Sequence, residues 1–131
     1  MSHTIYQMDE LPVLVFEGHE DYDTTTEMES VMGRIMGTLE GLSSPVYHIV
    51  DLSRVPPFDF DDTLNGANAA ALGPNPILHH PMIKKVIYVT DDEFMKIALK
   101  GMDSEMFGHV KVMMVDTLDD ALAFIRGDKA S

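Results

Sequence analysis

The chain of 131 residues contains no cysteine and no tryptophan, and its 9 basic residues are outnumbered by 22 acidic ones. Without cysteine there are no disulfides, no thiolate metal ligands and no cysteine nucleophile. The shortage of lysine and arginine leaves a formal charge of −13, whose field repels phosphate backbones and anionic lipid. Nucleic acid is therefore not an expected partner. Also lacking is any apolar run near the roughly 18 residues that a membrane-spanning helix requires. The opening stretch MSHTIYQMDE has no basic region followed by an apolar one, so no secretory signal is expected and the cytoplasm is the expected setting. No low-complexity tract, internal repeat or linker composition divides the sequence. Residues 1–131 are accordingly expected to form one domain, with a core from about residue 3 to about residue 126.

What is present is patterned hydrophobicity, in a chain that is 45% apolar. Residues 3–8 and 13–16 read as strands around a turn at Asp9, Glu10 and Pro12, which makes an opening hairpin. Thr24 and Glu27 have the spacing of a capping box. After them Met28, Val31, Met32, Ile35, Met36, Leu39 and Leu42 recur at the three-and-four spacing of one buried helical stripe, ending near Gly41. Residues 46–52 are almost unbroken apolar, as strands covered on both faces are. Leu64, Ala67, Ala70, Ala71 and Leu72 describe a short helix that Gly73 and Pro74 stop. A strand over 83–90, a helix from Asp92 to about Met102, a strand over 110–115 and a helix over 117–126 complete the series. Thr117 and Asp120 cap the last helix, and Gly127 is expected to end it. Strand-helix alternation of this kind predicts an α/β fold: a mainly parallel sheet with an N-terminal hairpin, right-handed crossovers and four helices.

In such sheets ligands gather at the carboxyl ends of the strands, and acids are concentrated there: Asp51, Asp91, Asp92 and Asp116 end strands, while Asp59, Asp61 and Asp62 follow Asp51. The run FDFDDTL resembles the first motif of the haloacid-dehalogenase phosphatases. That resemblance implies a magnesium-dependent enzyme with Asp59 as nucleophile and Asp61 as general acid. Thr90 would bind phosphate, Lys96 or Lys100 would stabilise charge, and Asp116 with Asp120 would hold the metal. Local physics opposes it. Such a nucleophile projects from a buried strand, yet Pro56 and Pro57 remove two backbone donors just before Asp59 and cannot occupy a central strand. The strand must end near Leu52, which leaves Asp59 in a loop. Helix capping accounts for Asp61, Asp62, Asp91, Asp92, Asp119 and Asp120 without catalysis.

The longer stretch IVDLSRVPPFDFDDTL resembles the signature of the STAS domains, the family of anti-sigma factor antagonists. Asp51, Leu52, Ser53 and Val55 match its first part and Asp59 its second. Phe60, Asp61 and Asp62 stand where that family has two serines and a glycine, so Asp61 occupies the place of the phosphorylated serine. The runs HPMIKKVIYVTDD and VDTLDDALAFI are similar to the SpoIIAA-like branch, grouped with CRAL-TRIO-type lipid-binding domains. The resemblance implies a STAS-like domain that acts without catalysis and without a cofactor. Its partner would be a protein, such as an anti-sigma-like kinase; the alternative it implies is a carrier of a lipid or small apolar ligand. Ser53 reads as a turn residue.

Two further patterns bear on binding. In the helix after Thr90, Phe94, Ile97 and Ala98 form a packing stripe, and Met95, Leu99, Met102 and Met106 widen it to about half the circumference. Methionine side chains repack readily. The expected recognition surface combines Asp59, Phe60, Asp61, Asp62 and Leu64 with Phe94, Met95, Leu99, Met102 and Met106. In the first helix Gly33 and Gly37 share a face with Ser30 and Gly41, opposite the apolar stripe. Small residues there admit a close backbone, which is read either as a contact with a second copy in a homodimer or with a partner, or as drift at solvent-facing positions. The histidines suggest no metal centre, since His79 and His80 are adjacent and His3, His19, His48 and His109 are scattered.

Overall fold

The computed structural model describes residues 3–8, 11–22, 24–55, 81–93, 96–97 and 112–130. The opening hairpin is β1 (His3–Gln7) antiparallel to β2 (Val13–Gly18), with Tyr6 opposite Val15. Helix α1 (Thr24–Glu40) leads to β3 (Val46–Asp51), followed by β4 (Ile83–Val89), β5 (Val112–Val115) and helix α2 (Leu118–Ala130). The five strands lie in the order β1-β2-β3-β4-β5, and every pair from β2 onward is parallel.

Residues alternate between the two faces of a strand, and here each face is sealed by a different helix. Leu14, Phe16, Val46, Val86 and Tyr88 pack with Val31, Ile35 and Leu39 of α1. Val13, Val15, Tyr47, Ile49, Ile87 and Val89 pack with Ala121 and Ile125 of α2. The central strands are apolar at consecutive positions because both of their faces are covered. The stripe expected in α1 is the face it buries, with Met32, Met36 and Leu42 partly buried at its margins.

Local departures from expectation have physical causes. Helix α1 begins at Thr24, and the capping box expected of Thr24 and Glu27 rests on a side chain outside the described residues. At the other end α2 passes through Gly127 to Ala130. One interior glycine costs a helix about 1 kcal/mol relative to alanine, and the buried Tyr47 hydroxyl ties the last turn down by donating to Asp128. Thr117 caps α2 as expected, its hydroxyl accepting from Asp120 N at 3.1 Å. Glu93, Lys96 and Ile97 are helical, but Ile97 is 70% exposed rather than part of a packing stripe. Its neighbour Lys96 is half-buried and forms an ion pair with Asp116. The short helix expected over 64–72 lies outside the described residues.

Candidate functional site

Parallel pairing of β2 to β5 brings four carboxyl ends to one edge of the sheet, and the antiparallel register adds the start of β1, where His3 faces Gly18. The chain leaves β3 through a tight turn. Asp51 is 5% exposed, and its Oδ1 accepts from Ser53 N at 3.0 Å and from Ser53 Oγ at 2.6 Å. An aspartate bonded to the backbone two residues on mimics a backbone turn. Leu52 N donates to Val89 O and Val55 N to Leu52 O, which fixes the next residues. Val55 then packs over Gly18: a Cβ there would meet Val55 Cγ2 at 2.4 Å. Glycine at the end of β2 thus lets the chain cross.

Arg54 points from this turn to the segment after β2. Its Nε donates to Glu20 Oε1 at 3.0 Å and a terminal nitrogen to Glu20 Oε2 at 3.3 Å, a two-pronged pairing that fits guanidinium to carboxylate. Another nitrogen stands 3.7 Å from Glu17 Oε1, which also accepts from His19 Nε2 at 2.9 Å. The Arg54 bond holds the Glu20 carboxyl below its usual pKa. Burial pushes the Tyr6 phenol up, and the carboxylates of Glu17 and Asp51 push it further.

Across the edge, Thr90 N donates to Val115 O at 2.9 Å and its hydroxyl accepts from Asp92 N at 3.2 Å. Lys96 N donates to Asp92 O at 3.0 Å, and the Lys96 ammonium donates to Asp116 with Glu93 at 3.8 Å. The hydrogen bond to Asp116 raises the lysine pKa. Asp119 and Asp120 occupy the first turn of α2, where the helix dipole favours anions. The edge is therefore an acidic rim with Arg54 and Lys96 set among its carboxylates.

Asp59, Phe60, Asp61, Asp62, Leu64, Phe94, Met95, Leu99, Met102 and Met106 lie outside the described residues, as does Lys100 of the phosphatase reading. The described residues that flank them, Val55 and Glu93, follow β3 and β4 at this same edge. Ser53 is the turn residue that the sequence suggested. Gly33 and Gly37 are exposed on α1 with open space within 4 Å of an added Cβ. Among the described residues no three His, Asp or Glu side chains are grouped to hold a metal ion. The Arg54–Glu20 pair carried no signal in the sequence, because it joins two loops 34 residues apart. Gly18 carried none either, because the strand read from the sequence stops at Phe16 and only the structure extends it to Gly18.

No family model and no curated protein matches the sequence. By fold the chain is an α/β domain, with a mixed five-stranded sheet carrying helices on both faces. Among solved structures it is similar to an uncharacterized protein of the DUF3478 family with a SpoIIAA-like fold from Shewanella loihica PV-4. The TM-score is 0.56 at 15% identity, over 94% of this chain and 91% of that one. An anti-sigma factor antagonist from Mycobacterium paratuberculosis aligns at a TM-score of 0.48 and 23% identity, over 95% of this chain and 92% of that one. The fold is thus the SpoIIAA-like one that the sequence resemblance implied.

Proposed function

We propose that the chain is a non-enzymatic binding module that recognises a protein partner with the carboxyl edge of its sheet, in the manner of the anti-sigma factor antagonists its sequence resembles. The observation that carries this reading is the turn at Asp51–Ser53. The residues matching the STAS signature make a hydrogen-bonded turn, and the packing of Val55 on Gly18 sets the direction in which the chain leaves the sheet. Four residues beyond Val55 begin Asp59, Phe60, Asp61, Asp62 and Leu64, which supply one half of the proposed contact. Phe94, Met95, Leu99, Met102 and Met106 supply the other. Asp61 takes the place of the phosphorylated serine with a charge of about −1 and two acceptor oxygens, where phosphoserine has about −1.5 to −2 and three. The charge at this position is therefore permanent rather than switched.

Capture of partners on the purified protein tests the reading. Asp61→Arg and Met95→Asp are each expected to abolish recovery of the partner, and recovery unaffected by both excludes this surface. Native mass spectrometry that finds an apolar molecule retained from the cell would favour a carrier instead. Magnesium-dependent hydrolysis of an aryl phosphate, lost in Asp59→Asn, would overturn the non-enzymatic reading.

A further inference from the structure

His48 lies in β3, the middle strand of the five, and is completely buried. Its register partners, Leu14 on β2 and Val86 on β4, belong to the layer that α1 closes with Val31, Ile35 and Leu39. Alternation along the strand puts the imidazole on that same face. Nδ1 is 3.1 Å from the Leu14 carbonyl oxygen. A carbonyl only accepts, so Nδ1 carries the proton and Nε2 is left bare. Nε2 has no hydrogen-bond partner among the described residues.

Proton uptake at Nε2 would place a new N–H donor and a unit charge against an apolar layer, and a buried charge is tolerated only when it is paired. Among the described residues no counter-charge acts on it. The tyrosines of the layer are Tyr88 of β4 and Tyr22 before α1, with the His3 ring packed on Phe16 and Tyr22, and burial pushes the Tyr88 phenol up, away from its anionic form. Lys84 and Lys85 of β4 lie over the rings of Tyr47 and Phe124 in the opposite layer. Glu17 of β2 is engaged by His19. On α1, Arg34 donates to His3, Glu27 one turn before Val31 is half-buried and favours the charged form of His3, and Glu40 is exposed. The influences on the His48 proton are burial, which opposes the charge, and the Leu14 carbonyl, which favours it more weakly.

We propose that this orphaned imidazole is an acid-sensitive switch in the core, in which proton uptake by His48 is coupled to release of α1 from the sheet. Burial takes the folded pKa from 6.5 down to about 4. The open chain therefore takes up the proton first: the stabilisation is complete above about pH 6.5 and is lost as the pH falls toward 4. At pH 5 this one group raises the opening constant about thirtyfold over its value at high pH, where the imidazole is neutral in both states. A partner that binds only the closed domain would hold the switch shut to lower pH.

The test is an NMR titration from pH 7.5 to 4.5, with long-range proton–nitrogen correlations of the imidazoles and amide exchange along residues 24–50. His48 is expected in the Nδ1–H tautomer and neutral until exchange in α1 and β3 accelerates together. Urea unfolding of His48→Leu is expected to lack the thirtyfold rise at pH 5, whereas His3→Gln, which removes another histidine of lowered pKa, retains it. Should His48→Leu fail to fold, the tautomer and the exchange of the wild-type chain decide the matter. An Nε2–H tautomer, or a ring that titrates near 6.5 while α1 stays protected, overturns the proposal.

Discussion

At the scale of single residues, the exit from β3 depends on a side chain that is missing. Gly18 and Val55 occupy one space, since a Cβ on Gly18 would sit 2.4 Å from Val55 Cγ2. Real Cβ atoms do not approach so closely, and the Val55 methyl belongs to a buried residue with little room to move. Gly18→Ala is therefore expected to destabilise the fold by about 1–3 kcal/mol, the usual cost of overpacking. Val55→Ala in the same chain removes the obstructing methyl. The double variant should be less destabilised than the sum of the two single variants by about 0.5–3 kcal/mol, the range for residues in contact. Urea unfolding of the four proteins in the cycle measures this, and strict additivity would mean that the two residues do not compete for space. Gly18→Ala should also weaken partner capture, because the turn at Ser53 can no longer lie against the sheet.

At the scale of elements, α1 combines a face that packs with one that packs against nothing described. Gly33 and Gly37 are interior to the helix and exposed, with nothing within 4 Å of an added Cβ. Each costs about 1 kcal/mol relative to alanine. Gly33→Ala with Gly37→Ala is expected to raise the monomer's stability by about 1–2 kcal/mol in urea unfolding. If the same face seats a second copy, the methyl groups will weaken self-association in sedimentation velocity while strengthening the helix, so the two roles separate in one variant. Elements with a complete local pattern were legible beforehand. The α1 stripe follows from 3.6-residue periodicity, β3 and β4 from apolar runs, and the hairpin from its turn residues. The turn at Asp51–Ser53 was legible for the same reason, since its bond spans two residues. What long-range contacts decide was not legible. Gly127 reads as a helix stop, yet Tyr47 reaches 81 residues along the chain to bond Asp128 and keep the last turn helical. Ile97 reads as core, yet it is exposed, beside a lysine that pairs with Asp116, 20 residues on. His48 reads as one scattered histidine, because only its strand pairing reveals how fully it is enclosed.

At the scale of the whole molecule, the sheet separates two apolar layers among the described residues, one on each face. Leu39 anchors α1 on one side and Ile125 anchors α2 on the other, and both are fully buried. Replacing either with alanine is expected to cost about 2–5 kcal/mol, the range for large-to-small changes in a core. Their coupling is more informative than either cost. Helices on opposite faces of a sheet share no side-chain contact, and sites more than about 7–10 Å apart without common partners add to within about 0.5 kcal/mol. Leu39→Ala with Ile125→Ala should therefore show the sum of the single effects, with unchanged denaturant slope. A departure of more than about 1 kcal/mol would mean that the strands shift as a unit when one layer loosens. The acid response then discriminates further. His48 lies in the α1 layer, so Ile125→Ala should move the acid midpoint of both layers only through global stability, whereas Leu39→Ala should speed exchange in α1 at a higher pH than in α2. Exchange measured helix by helix between pH 7 and pH 5 gives both answers, and simultaneous loss of protection in α1 and α2 in every variant would show that the two layers open as one.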